Sequence, residues 1–169
     1  MEISLRLSTL LIATLLTGLS AGLCFTWSNA VTTGLARLDD VSYLQAFQQM
    51  NRTIINPVFL LVFFGPSLFA LITTIQHRFL PAQMLWMLIF ATVAYFLGVT
   101  LVTVFGNVPI NEALDSTDLS EISDSGAQAL RTMFEDKWTK YHLIRTYASI
   151  LSFSLLILVC LWRNVPETI

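Results

Sequence analysis

The stretch "DKWTKYHLIRTYASILSFSLLILVCLW", Asp136 to Trp162, begins with charged and titratable side chains and ends in an unbroken apolar run. At about 100° per residue, Trp138, His142, Arg145, Ser149 and Ser152 fall within an arc of about 80° on one helix face. Tyr147, Leu151 and Leu155 point elsewhere. A polar stripe running down into an apolar helix has two readings. Arg, His and Trp are common at a membrane boundary, where they lie at headgroup level or snorkel. Alternatively, the stripe faces other helices, because polar groups turned to lipid would be left unpaired.

Composition sets the environment. Hydrophobic residues make up 55% of the chain and charged residues 12%, with a mean hydropathy of +0.70. A soluble domain carries charge on roughly a quarter of its residues, so this is the composition of a membrane protein. The charges are also segregated. No Asp, Glu, Lys or Arg occurs between Arg6 and Arg37, Arg52 and Arg78, Arg78 and Glu112, or Arg145 and Arg163. Each gap accommodates a segment close to the ~20 apolar residues that cross a bilayer core of about 30 Å. The runs are continuous rather than alternating, which favours helices over a barrel. The expected fold is all-α, a single four-transmembrane-helix bundle over 1–169, with spans at about 8–34, 57–76, 83–105 and 143–162.

Local signals support these limits. Asn56 before Pro57 is a helix start, with Asn capping free amides and proline at the first helical position; Pro81 suggests the same for the third span. The link "QHRFLPA" is short enough to make spans two and three an antiparallel hairpin. Gly65 and Pro66 sit mid-span, where proline removes a backbone donor. Two longer connections lie on one side of the membrane. In the first, Ser42 and Gln45 form a capping-box pattern, and Leu44, Phe47 and Ile54 suggest a short surface helix. In the second, acids outnumber bases from Glu112 to Lys137; Ser116 to Gly126 reads as a solvated loop, and a helix from about Ala127 continues into span four. The uncharged run beyond Cys24, which follows Leu23 rather than a small residue, points to a retained first helix rather than a cleaved leader.

Polar side chains gather at the same membrane face. Asn51, Arg52 and Asn56 stand at the mouth of span two, Asn107, Asn111 and Glu112 at the exit of span three, and Trp27, Asn29 and Thr33 near the end of span one. Trp27 and Asn29 are about 200° apart on a regular helix, so they share an inward face only if the helix unwinds, whereas Thr26, Asn29 and Thr33 share one face. The alternative role for Asn56 and Asn107 is helix capping. His77, at the opposite face, is the only histidine besides His142, which leaves no metal-ligand set. No phosphate loop, dinucleotide fingerprint or serine-nucleophile motif is present. A net charge of -2 without a basic patch disfavours nucleic acid. Cys24 and Cys160 read as packing residues inside spans.

The motifs "NRTIINPVF", "GNVPINEAL" and the Trp138, His142, Arg145, Thr146 pattern resemble the small four-helix membrane proteins that include the fungal anthrone oxygenases. The resemblance runs from about Trp27 to Arg145. The chain departs from the family at His142, where asparagine is the more frequent residue, so a base role for this histidine is not carried over as a family property. The resemblance implies cofactor-independent oxygenation, or binding, of an apolar aromatic small molecule. For such a reaction the candidate catalytic residues are His142 and Arg145 by their own chemistry, a neutral imidazole to take a proton and a guanidinium to stabilise an oxyanion. Trp27, Asn29, Asn51, Arg52, Asn56, Asn107, Asn111 and Trp138 would bind substrate. The competing expectation is a non-catalytic membrane scaffold or partner-binding module. The expected location is a bacterial inner membrane, in contact with lipid. Arg37, Arg52, Arg131, Lys137, Lys140 and Arg145 lie on the long-connection side, and Arg6, Arg78 and Arg163 on the other. Counted simply, six against three would place the long connections in the cytoplasm; with Arg52 and Arg145 assigned to the site, and Arg6 preceding a signal-anchor-like run, both termini are instead expected there.

Overall fold

The structure, a computed structural model, describes residues 5–162; Arg163 and both chain termini lie outside the described residues. The described chain forms five helices and no strands. Helix α1 spans Leu5–Leu35, α2 Asp40–Ile54, α3 Pro57–Gln76, α4 Ala82–Asp115 and α5 Asp124–Trp162. All but α2 are long and apolar enough to cross a membrane. The fold is thus the expected all-α four-span bundle, with both longer connections at one end. Helix α4 runs past residue 105 to Asp115, and α5 begins well ahead of residue 143, so both reach beyond the bilayer core.

Helix starts follow local chemistry. Asn56 caps α3, its Oδ1 accepting from the Phe59 N–H at 3.0 Å, with Pro57 in the first helical position. Helix α2 is capped by Asp39, whose carboxylate accepts from the Ser42 N–H at 2.9 Å, and not by the Ser42 and Gln45 pair. The helix begins earlier because Asp39 supplies an acceptor at the right offset. The bonds from the Ser42 backbone and hydroxyl hold the Asp39 carboxyl below its ordinary range.

Helix α2 is the expected short surface helix, with Gln45, Gln49, Arg52 and Thr53 exposed and its apolar face turned onto the bundle. Its Tyr43, Leu44 and Phe47 are buried with Leu114, Leu119, Ala127, Phe134 and Trp138 in one cluster that closes the end of the bundle. The stretch after α4 is exposed over most of its length, as a solvated loop, but it is anchored at one point: Leu119 enters that cluster, and Gln48 Nε2 donates to the carbonyls of Leu114 and Thr117 at 2.8 and 2.9 Å. Arg131 fastens the α1–α2 connection onto α5. Its guanidinium donates to the carbonyls of Leu38 and Ala36 at 2.8 and 3.0 Å, to Asp40 at 2.9 Å and to Glu135 at 3.2 Å.

Within the bilayer-crossing part, Leu10, Ala13, Leu88, Ala91, Leu156 and Val159 form a buried cluster at the opposite end. The Tyr95 hydroxyl lies 2.6 Å from the Ser20 hydroxyl and 2.8 Å from the Phe63 carbonyl, donating its one proton to the carbonyl when Ser20 donates to it, and so joins α4 to α1 and α3. Three wide π-helical turns interrupt the helices: 27–31 in α1, and 96–101 and 103–107 in α4. Such turns insert an extra residue and re-aim the side chains that follow. Those in α4 coincide with close approaches to α5. A Cβ at Gly98 would collide with the Cβ of Ala148, and one at Gly106 would lie 2.9 Å from the Tyr141 ring. Glycine lets α4 press onto α5 near Arg145.

Candidate functional site

The stripe on α5 faces inward. Trp138, His142, Arg145, Ser149 and Ser152 are all buried, whereas Tyr147 is 71% exposed. Arg145 retains 8% of its accessible surface and His142 3%, which is incompatible with snorkelling into the headgroups.

His142 is held in one tautomer. Arg145 Nη2 lies 3.0 Å from His142 Nδ1, and since a guanidinium only donates, Nδ1 accepts and the ring proton resides on Nε2. That N–H is directed at the Cys24 carbonyl at 3.2 Å and the Ser28 hydroxyl at 3.0 Å. Ser28 also meets Thr146 Oγ1 at 3.1 Å. The histidine stacks on Trp138 with centroids 4.7 Å apart, and Trp138 in turn packs against Trp27 at 5.5 Å.

Arg145 lacks a carboxylate partner among the described residues. Beyond its bond to His142 it reaches Thr103 Oγ1 only at 3.5 Å, and its carbon centre lies 5.5 Å from the Trp138 ring and 5.6 Å from Phe63. A buried cation is normally paired or turned towards something that accepts its protons.

It lies against a cavity of about 330 Å³ between α1, the α2–α3 junction, α4 and α5. Leu23, Phe59, Phe63 and Val108 contribute apolar wall. Of the residues singled out from sequence, Trp27, Asn51, Arg52, Asn107, Asn111, Trp138, His142 and Arg145 line it. Asn29 and Asn56 do not. Asn29 is exposed on the outer face of α1 with Thr26 and Thr33: even with the wide turn at 27–31, Trp27 lines the cavity and Asn29 stays on the opposite side, as the helical period places it. Asn56 is spent on capping α3. Sequence reasoning passed over Ser28, which a regular helix places about 100° from Trp27, and also Cys24, Phe63 and Thr103, whose types suggest only packing.

Five buried side-chain atoms without a hydrogen-bond partner belong to residues lining this cavity: Asn51 Nδ2, Asn107 Oδ1, Asn111 Oδ1, Trp138 Nε1 and Arg145 Nε. Native proteins leave few such atoms. Their convergence on one apolar-walled space supplies donors and acceptors for a molecule that carries oxygen. At the open end, exposed Arg52 is paired with Asp115 at 2.6 Å, and Glu112 stands beside them on the lining. Among the described residues no three His, Cys, Asp or Glu side chains come together as a metal site.

A family model described as Anthrone oxygenase matches residues 45–155. That stretch contains every cavity-lining residue except those contributed by α1. No curated protein and no solved structure matches the chain.

Proposed function

The chain belongs to the anthrone oxygenase family, and from that premise we propose that its cavity binds a planar, mainly apolar aromatic molecule and oxygenates it without a cofactor. The observation that carries this reading is the set of orphaned polar atoms around an unpaired, buried guanidinium. An anthrone has a ring methylene opposite a ring carbonyl. Removal of a methylene proton delivers negative charge to the carbonyl oxygen, where Arg145 Nε and Trp138 Nε1 serve as donors in a low-dielectric site. The carbanion transfers its electron pair to dioxygen and a C–O bond forms. Protonation gives a hydroperoxide, which loses water to leave a second carbonyl; methylene plus O₂ becomes carbonyl plus H₂O. Trp27 and Trp138 provide aromatic surface for the flat rings, and Asn51, Asn107 and Asn111 meet its oxygen substituents. His142, with both nitrogens engaged, holds Arg145 in place.

We further place the protein in a bacterial inner membrane with its termini in the cytoplasm, so that the cavity opens at the outer face. Arg52, Arg131 and Arg145 are occupied by internal contacts; setting them aside leaves three cations on each side, and the signal-anchor-like start of α1 behind Arg6 then supports cytoplasmic termini. A membrane-impermeant maleimide should label Ser120→Cys, and not Phe79→Cys, above the level of the native cysteines; the reverse pattern refutes this orientation.

The test of function uses the full chain in nanodiscs with anthrone under air. Oxygen uptake and quinone absorbance above the protein-free rate, together with quenching of tryptophan fluorescence, support the reading. Quenching without turnover would make the protein a binding module, and neither response would retire the site.

A further inference from the structure

An oxygenase of this kind needs a proton acceptor, and the cavity offers few. Its titratable lining comprises Cys24, Arg52, Glu112, Asp115, His142 and Arg145. The two arginines only donate. His142 accepts from Arg145 through Nδ1 and donates through Nε2. Protonating Nδ1 would break the first of these bonds and set two cations side by side. Asp115 is committed to Arg52 at 2.6 Å. Cys24 is buried at the deep end, 2% exposed and away from water. Glu112 differs from all of these: it is an acceptor, it lines the cavity, and its side chain has no hydrogen bond or ion pair to any described residue. It is also exposed, so a proton it gains can pass to water.

Resting on the oxygenase reading above, we propose that Glu112 is the catalytic base, a carboxylate at the open end of the cavity that takes the methylene proton from a substrate whose carbonyl oxygen faces Arg145. The C–H bond breaks, its electron pair stays on the ring system as the enolate, and the proton forms the Glu112 carboxylic acid. After the electron pair has gone to dioxygen, the same acid returns the proton to the peroxide oxygen, which restores the carboxylate; the carboxylate then takes the remaining ring C–H proton as the O–O bond breaks, and the leaving hydroxide departs with that proton as water. The positioning fits a division of labour: donors at the deep end hold developing charge, and the acceptor at the wet end handles the proton.

Proton abstraction can be measured apart from oxygen chemistry. With the full chain in nanodiscs, anthrone in D₂O without oxygen should exchange its methylene hydrogens faster than in protein-free nanodiscs, as read by NMR. Glu112→Gln should lose about 100-fold or more of the protein-dependent exchange, within the usual range for general base catalysis, with a parallel loss of oxygen uptake. Fluorescence quenching by anthrone should persist with little change in midpoint, and Glu112→Asp should recover part of both rates. Undiminished exchange in Glu112→Gln overturns the assignment while leaving the oxygenase reading intact if turnover continues. Equal loss of binding and exchange overturns it in favour of a structural role. No exchange and no turnover by the unaltered protein overturn both.

Discussion

Replacing Arg145 with methionine separates architecture from chemistry at the site's most unusual residue. A guanidinium presents five N–H donors, yet Arg145 makes one good hydrogen bond, 3.0 Å to His142, and one long contact, 3.5 Å to Thr103, with no carboxylate among the described residues. Bringing an ion into such surroundings carries an effective penalty of several kcal/mol. Methionine follows the same unbranched path against Phe63 and Trp138 without the charge. What it leaves behind is His142 Nδ1 without a donor, at a cost of about 1–3 kcal/mol; Thr103 keeps its own bond to the Val99 carbonyl at 2.6 Å. The balance favours the variant by about 1–3 kcal/mol. At about 2–4 °C per kcal/mol for a chain of this size, the melting temperature should rise by roughly 2–12 °C. Oxygenation should fall by about 100-fold or more, the usual consequence of losing an oxyanion donor. Intrinsic fluorescence melts in detergent and oxygen uptake in nanodiscs measure the two quantities. A melting temperature lowered by about 5 °C or more would show that the guanidinium holds the bundle together, and the argument from an unpaired charge would fail.

Other expectations follow from single contacts. His142→Asn keeps one donor and one acceptor for Cys24 and Arg145 and should retain more turnover than His142→Phe, which offers neither; equal rates would refute the positioning role. Gly98→Ala drives a methyl into Ala148 and should destabilise by about 1–3 kcal/mol, with Ala148→Gly restoring the melt. Leu119→Ala, in the end cluster, should cost about 2–5 kcal/mol, whereas an unanchored loop would show no change. Anthrone at about 100 times its Kd should stabilise the folded chain by about 2.7 kcal/mol, visible as a thermal shift even without turnover.

The bundle was legible because its signals are local. Charge-free gaps give the spans, Asn56 with Pro57 gives a helix start, and the inward stripe on α5 needs only the helical period. The contents of the cavity were legible in part for a related reason: asparagines and tryptophans stand out against an apolar background. What sequence could not supply depends on tertiary contact. Ser28, one turn beyond buried Cys24, reaches His142, a pairing across helices that no residue in "TWSNAVTT" announces. Asn29 looks as polar as Asn51, but its side of the helix is fixed by packing. Leu119 is a single apolar residue among acids, and only the neighbouring Tyr43, Leu44 and Phe47 make it a core residue. The roles of Arg145 and His142 reverse in emphasis for the same reason, since the bond between them, and not either residue type, determines which atom is free.

The end cluster explains how such a site is tolerated. Each orphaned buried polar atom costs on the order of 1–3 kcal/mol, and five converge on one cavity. Several sit on elements that a bare four-helix bundle would leave loosely held: Asn51 on α2, Asn111 on the extension of α4, and Trp138 on the extension of α5. The buried rings of Tyr43, Phe47, Phe134 and Trp138, at centroid separations near 5 Å, and the Arg131 contacts to three elements offset that cost where it falls. Trp138 belongs to both systems, packing against Phe47 at 5.1 Å and stacking on His142 at 4.7 Å. The cluster therefore fixes the aromatic wall and, through His142, the orientation of Arg145. The polar face of the bundle is preorganised by an apolar cap outside the membrane, not by the transmembrane packing alone.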